Sequence, residues 1–264
     1  MIQKLRNLTY KVISKVIPQL LSSELIYLTQ TELFLKQGYG WGTSTVSHEI
    51  KAVANFLDSA TAKSPTIFDI GANIGDYSKA ALNLFPNSTI VCFEPNEKNS
   101  KTLMDQFTSF SNVKIVGCAV GKENGRGLLF ADYNGGPLGS LTKRNLSHMN
   151  IDFSDIEEIE IITLDDWSRI NNIHPDIIKI DVEGHELDVL WGGIETVKSS
   201  QVVQFEFGGA NIDTRTYFLD FFNYFKAIGF IIYVITPRGT KLISAYSERC
   251  EFFSTTNFIA VPAT

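Results

Sequence analysis

Residues 66–76 read T-I-F-D-I-G-A-N-I-G-D, and the reading of this stretch decides the fold. Thr66 to Ile70 is a short apolar, β-branched run of the kind that forms a strand covered on both faces. It ends in a turn built on Gly71 and Gly75 with Asn73 between them, and helix-like sequence begins at about Gly75. Glycine permits both the tight turn and a close approach of backbone to a ligand. Strand, glycine turn and helix in that order predict a helix N-terminus aimed at something bound above the strand ends.

Outward from this turn the same rhythm repeats. The spacing predicts a helix over 75–85, a strand over 89–94, a helix over 97–107 and a strand over 112–116. It resumes with D-I-I-K-I-D at 176–181, a helix over 185–191, a strand over 201–207 and a helix over 214–227 closed by Ile228 and Gly229. Strands over 230–235 and 256–261 complete the series. Apolar strands alternating with helices predict an α/β protein whose mostly parallel sheet carries helices on both faces. The rhythm breaks at residues 121–150, a polar, glycine-rich stretch between strand-like runs at 128–130 and 159–164. Long irregular segments of this kind are often substrate loops or lids.

Ahead of the turn, residues 1–35 read as helix, with apolar residues at helical spacing, Lys4, Arg6, Lys11 and Lys15 among them, and no acid before Glu24. Pro18 should kink or interrupt it. Such a basic amphipathic arm could cover its own domain, lie on an anionic membrane or pack on another copy. Residues 38–47 form a loop with Tyr39 and Trp41 as aromatic handles suited to a pocket mouth, and 46–58 a helix carrying His48 and Glu49. The chain thus divides into an N-terminal helical arm and cap over 1–60 and a main domain over 61–264, with 121–160 as a loop-rich insertion.

Composition bounds the function. The 264 residues are 44% hydrophobic and 20% charged with a formal net charge of −6, an ordinary balance for a globular protein. An acidic chain with no basic region beyond its first residues is a poor partner for nucleic acid, whose binding runs on Lys and Arg neutralising phosphates. Cys92, Cys118 and Cys250 are far apart, show no C-x-x-C spacing and read as small buried hydrophobes. A reducing, cytoplasmic setting is therefore expected. The sequence has no apolar run long enough to span a bilayer and no signal-like N-terminal region.

The chemistry gathers at the strand ends. Asp69, Glu94, Asp181 and Glu206 each terminate a buried strand, where an isolated charge is costly to desolvate and needs a reason. Glu94, ending the strand after the glycine turn, stands where an acid accepts hydrogen bonds from both hydroxyls of a ribose. Taken alone, that describes a dinucleotide or an adenosyl ligand. The turn lacks the G-x-G-x-x-G spacing, and Asp76 occupies the third-glycine position, where a carboxylate would repel a diphosphate and suit the cationic amino-acid end of S-adenosylmethionine.

The segments F-D-I-G-A-N-I-G-D, V-C-F-E-P-N, C-A-V-G, I-T-L-D-D, I-K-I-D-V-E-G-H-E-L-D-V-L-W-G-G and Q-F-E-F, in that order between residues 66 and 207, resemble the FkbM family of S-adenosylmethionine-dependent methyltransferases. The resemblance implies a Rossmann-like class I methyltransferase fold with a seven-stranded, mostly parallel sheet, and S-adenosyl-L-methionine as cofactor. It implies that Asp69, Gly71, Asn73 and Gly75 line the methionine and ribose part, and that Glu94 holds the ribose hydroxyls. Pro95 and Asn96 would shape the adenine side, Cys118 and Ala119 would stand beside adenine, and Asp181 would sit next to the methyl group. It implies O-methylation of a hydroxyl on a sugar, glycan or secondary metabolite.

An alcohol needs a base to lose its proton, and Asp181, Glu183, His185 and Glu206 are the candidates, with His185 suited by its near-neutral pKa. A capping role for Glu183 and a helix-surface position for His185 compete with these readings. Lys179 should pair with a neighbouring acid. A divalent cation on Asp181, Glu183 and Glu206 is chemically reasonable, but no spacing separates it from hydrogen-bonded carboxylates, so no metal is assigned. His48, His148 and His174 read as structural, Asp165 as the cap of the short helix that follows it, and Trp191 as core. Two other readings compete. An NAD(P)-dependent Rossmann oxidoreductase or epimerase would need the missing third glycine and a Tyr-x-x-x-Lys pair. A non-catalytic cofactor-binding domain would have lost the acids that Asp69, Glu94 and Asp181 retain.

Overall fold

The computed structural model describes residues 22–42 and 45–263, together with Val12 and Lys15. Of the helix expected over residues 1–35, residues 1–21, Pro18 included, lie outside the described residues apart from those two positions.

Two helices precede the sheet, α1 (Ser23–Lys36) and α2 (Val46–Ala54). The glycine turn then joins β1 (Thr66–Ile70) to α3 (Asp76–Leu84). There follow β2 (Thr89–Phe93), α4 (Glu97–Gln106), β3 (Val113–Val116), β4 (Ala119–Val120), β5 (Gly125–Ala131), β6 (Asp155–Ile162) and α5 (Leu164–Asn171). The second half runs β7 (Ile177–Ile180), α6 (Glu186–Gly192), α7 (Ile194–Ser199), β8 (Val202–Phe207), α8 (Ala210–Thr214) and α9 (Phe218–Ala227). It closes with β9 (Phe230–Thr236), β10 (Gly239–Ile243) and β11 (Thr256–Pro262).

Eight strands form the main sheet in the order β10-β9-β11-β8-β7-β1-β2-β3. Strands β8, β7, β1, β2 and β3 pair in parallel, and β11 runs antiparallel between β8 and β9. This is the Rossmann-like class I methyltransferase arrangement. The expected seventh strand gains a neighbour, because β10 folds back on β9 as an antiparallel hairpin at the sheet edge. Its exposed polar residues carried no strand signal. A small second sheet, β4-β6-β5, is built from the insertion and the strand leading into it.

The sheet is buried on both faces, which is why its strands read as apolar runs. Phe68, Ile70, Ile178 and Ile180 face one core with Phe205, Phe207 and the aromatic side of α9, all fully buried. Ile67, Ile177 and Cys92 face the other with Ile50 and Val53 of α2 and Tyr77 and Ala81 of α3. The helix expected over 214–227 is two helices. Arg215 adopts a left-handed backbone (φ 57°) that ends α8, and Asp220 accepts the Tyr217 N–H at 2.9 Å to begin α9.

Parallel register places Asp69 opposite Lys179, and Lys179 opposite Gln204, so one row of the second face is polar. Lys179 Nζ lies 3.6 Å from Asp69 Oδ1 and 3.3 Å from Asp181 Oδ2, meeting the expectation that it pairs with an acid. Ser78 donates to Asp69 Oδ2 at 2.6 Å. Gln204 receives the Tyr77 hydroxyl at 3.1 Å and donates to Glu49 at 2.7 Å. Burial alone would lower the Lys179 pKa, but Asp181, Asp69 and Glu49 outweigh it and hold the ammonium above the usual lysine range. Lys179→Met would leave Asp69, which is 0% exposed, without a cation. We expect it to lose about 3–5 kcal/mol of stability. Urea unfolding checks this, and Asp69→Asn in the same chain should recover most of the loss.

Candidate active site

β1 and β7 are neighbours at the point where strand order reverses, the position at which open α/β sheets bind ligands. Their C-terminal turns wall a cavity of about 400 Å³. Gly71, at φ 78°, donates its N–H to Phe93 O at 3.0 Å, and a Cβ there would collide with the carbonyl oxygen of Asp181. The two turns are thus in backbone contact, which only glycine allows. Lys179 Nζ also reaches Gly71 O at 3.4 Å, tying the first turn to the strand of the second.

One end of the cavity is built around Glu94, 5% exposed. Its Oε2 accepts the Asn73 N–H at 2.8 Å and its Oε1 the Asn96 N–H at 3.0 Å. Each oxygen keeps a further lone pair for a ligand. Burial pushes the Glu94 carboxyl up to about 7, against the lowering effect of those two bonds. Asn73 tolerates the left-handed backbone its place demands (φ 49°) and accepts from Asn99 Nδ2 at 3.0 Å. Asn96 caps α4 by accepting the Asn99 N–H at 3.1 Å and donates to Glu157 at 2.7 Å. Pro95, Cys118 and Ala119 line the wall beyond, beside Phe93 and Leu129. A carboxylate with free acceptor capacity next to an apolar slot fits an adenosine, ribose against Glu94 and base against the slot.

The other end gathers Asp181, Glu183, His185 and Glu206. Glu183 (φ 52°) and Gly184 (φ 100°) make the turn after β7, and Glu186 fastens it by accepting the N–H groups of Val182 and Gly184 at 3.1 and 3.0 Å. Glu186 takes the capping role that competed for Glu183. His185 precedes α6 and faces the cavity rather than solvent. Its Nδ1 lies 2.7 Å from Asp188 Oδ2 and its Nε2 3.0 Å from Thr142 Oγ1. A carboxylate only accepts, so Nδ1 carries a proton, and in the neutral ring Nε2 offers a lone pair. Burial, then repulsion by Asp181, raises Glu183 to about 8 despite Arg144 beside it. Burial with Asp181 and Glu183 nearby holds Glu206 well above the carboxylate range.

The insertion supplies the roof. Ser140 Oγ donates to Glu183 O at 2.7 Å. Arg144, its side chain 7% exposed, reaches Glu183 at 2.6 Å and Asp213 at 3.2 Å. Neither was legible in the sequence, since a lone Arg in a polar loop carries no pattern. The pairing of Asp188 with His185 did have a signal, the three-residue helical spacing in H-E-L-D.

Some expected residues stand elsewhere. Asp69 lies beneath the cavity in the polar row, and Gly75 packs against Leu103, Phe107 and Gln106, where a side chain would clash. Asp76 is exposed and paired with Lys79 at 3.5 Å, outside the cavity wall. Tyr39 packs on Phe252 and Trp41 on His48; of that loop, Gly42 reaches the cavity. Thr163, not Asp165, caps α5, and Asp165 instead caps α7 by accepting from Glu195 and Thr196. Trp191 is 43% exposed under Lys122, while Trp167 holds the core position. Among the described residues, no group of three or more His, Cys, Asp or Glu side chains is arranged to hold a metal.

These turns belong to a known class of transferase. The methyltransferase FkbM domain matches residues 69–232, well over half of the chain, and the protein belongs to that family. A 2-O-methyltransferase, NoeI, of Sinorhizobium fredii (strain NBRC 101917 / NGR234) is 27% identical over 154 residues, covering 54% of this chain and 63% of that protein. Methyltransferase 1 of Beauveria bassiana (strain ARSEF 2860) is 25% identical over 142 residues, covering 48% and 57%. The chain thus spans roughly three fifths of the length of the curated relatives it matches. Precorrin-6y C5,15-methyltransferase from Geobacter metallireducens has a TM-score of 0.44 at 15% identity, covering 81% of this chain and 88% of that one.

Arg144 is the ion-pair partner of two half-buried acids across the roof. Arg144→Met should open this segment and leave the sheet intact. We expect hydrogen exchange at the amides of Thr142 and Asn145 to quicken by at least about 100-fold, with β1 unchanged.

Proposed function

We propose that this protein is an S-adenosylmethionine-dependent O-methyltransferase acting on a hydroxyl of a glycan or small metabolite. The observation that carries the reading is Glu94, which holds two backbone N–H groups and leaves acceptor capacity for a ribose facing the cavity. Its separation from the acid- and histidine-bearing end gives the cavity a nucleoside side and an acceptor side. Methyl transfer also accords with the family, and a hydroxyl acceptor with the name of the NoeI relative.

When bound, the cofactor supplies a methyl group on a sulfonium, an electrophile open to in-line attack. The chain's own task is to position the acceptor and take its proton. Glu94 would hold the ribose, Gly71 and Asn73 would let the backbone approach it, and Pro95, Asn96, Cys118 and Ala119 would flank the base. His185 Nε2 stands 3.0 Å from the Thr142 hydroxyl, and in the neutral ring an acceptor hydroxyl in its place would give its proton to that nitrogen. Asp188 orients the ring and stabilises the imidazolium that forms. Asp181 would accept hydrogen bonds from the acceptor's remaining hydroxyls, a role suited to polyols. Three buried, unpaired cysteines favour a reducing, cytoplasmic setting.

Calorimetry with S-adenosylhomocysteine beside NAD tests the cofactor assignment, and binding of NAD alone would overturn it. Glu94→Ala should weaken S-adenosylhomocysteine by about 1–3 kcal/mol through lost charge-assisted bonds. Because burial disfavours the ionised form of Glu94 and ribose hydroxyls donate to it, affinity should rise between about pH 6 and about pH 8. A Glu94→Gln variant should lack that rise. His185→Ala should leave cofactor affinity unchanged and lower turnover by about 100-fold or more, read from labelled methyl transfer into a glycan extract. Full activity would remove His185 from the proton path.

A further inference from the structure

In V-E-G-H-E, Glu183 and His185 line the cavity, while Glu186, 2% exposed, stands outside its wall. Glu186 Oε1 accepts the N–H groups of Val182 and Gly184, and Oε2 accepts Asn211 Nδ2 at 3.4 Å. Three neutral donors thus satisfy a carboxylate whose ionised form burial disfavours. Both oxygens are needed as acceptors, which a glutamine could not supply.

Asn211 is equally enclosed, 2% exposed, and uses its whole amide. Its Oδ1 accepts the Gly208 N–H at 2.8 Å, and its Nδ2 donates both to Glu186 and to Thr216 Oγ1, the latter at 2.8 Å. Gly208 offers a hydrogen and Glu186 a lone pair, so only one orientation of the amide fits. Gly208 follows β8, whose Glu206 lines the cavity. On the same short helix as Asn211, Asp213 holds Arg144 of the roof. Gly184 lies so close to α8 that a Cβ there would stand 2.9 Å from the Ala210 carbonyl oxygen.

Glu186 and Asn211 therefore join the β7 turn to the β8 turn and, through α8, to the roof. The bonds that hold Glu94 belong to the other end of the cavity and share no residue with this bridge. Glu183, at φ 52°, has a left-handed backbone that is rare for a glutamate and persists only where its surroundings fix it. We propose that Asn211, acting through Glu186, is a positioning residue that fixes the β7 turn, and with it His185, for the acceptor. Its effect on turnover rests on the acceptor reading of this end, and its effect on the placement of His185 does not.

The variants that test this are E186Q, N211D and the two combined. E186Q sets one amide NH2 against another, and N211D sets one carboxylate against another. The double variant again places a donor opposite an acceptor. The first readout is the His185 ring-proton resonance in the chain without acceptor, assigned by its loss in His185→Ala. Each single variant should shift it, and the double variant should return it. The second readout is a split between turnover and cofactor affinity. Each single variant should lower labelled methyl transfer into a glycan extract by about tenfold or more at unchanged S-adenosylhomocysteine affinity. The double variant should recover most of that loss. A resonance unmoved in both single variants, or a double variant no closer to the unaltered chain than either, would overturn the proposal. So would single variants that fail to fold, since the pair would then serve stability. A chain that binds NAD and not S-adenosylhomocysteine would instead fail the methyltransferase reading and leave the His185 readout intact.

Discussion

One buried ammonium holds the two functional turns together. Lys179 Nζ stands between Asp69, Asp181 and the carbonyl of Gly71, so the strand that ends at Asp181 is fastened to the turn that follows β1. Nearby acids alone would repel each other in a low-dielectric setting, and a lysine alone would lose its proton there. Held together, each justifies the other's burial. The row extends through Ser78, Gln204, Tyr77 and Glu49, so the face of the sheet beneath the cavity is polar and hydrogen-bonded where a core would ordinarily be apolar. The position of Asp181 is a consequence of this network before it is a feature of any chemistry.

That ordering explains what could be read from the chain. The glycine turn at 71–75 and the strand–helix rhythm around it are local signals, dictated by backbone conformation and by burial on both faces, and they gave the sheet and its switch point. Glu94 and His185 were legible because each follows directly from a strand end or a turn. Asp69 and Asp76 looked like site residues for the same reason, yet Asp69 serves the polar row and Asp76 turns outward to Lys79. Sequence position locates the end of a strand, but the direction of a side chain there is set by its neighbours. Gln204 and Glu49 escaped notice because their partners are 155 residues apart in sequence. Trp191 lies outside the core expected of it and Trp167 lies within it for a similar reason, since which indole enters the core is settled by how α5 and α6 lie on the sheet.

The two ends of the cavity differ in how they are held. At the Glu94 end, both carboxylate contacts come from backbone N–H groups, of Asn73 and Asn96 in the adjacent turns after β1 and β2, and Asn96 also caps α4 and reaches Glu157 of β6. At the other end, the contacts come from distant parts of the chain. Arg144 and Ser140 of the insertion meet Glu183 of the β7 turn, Asp213 of α8 also holds Arg144, and Thr142 meets His185. A local unit keeps its geometry when loops elsewhere change, whereas a junction of three segments can be re-formed by changing any of them. The first arrangement suits a ligand common to a family, and the second an acceptor that varies within it.

The acids at that junction then acquire a further role. Glu183 and Glu206 are both held above the ordinary carboxylate range by burial and by Asp181. A guanidinium beside Glu183 favours its ionised form, so Arg144 works against the burial and the Asp181 charge that raise this carboxyl. The protonation of Glu183 is therefore linked to the roof, because the residue that opposes it belongs to the insertion.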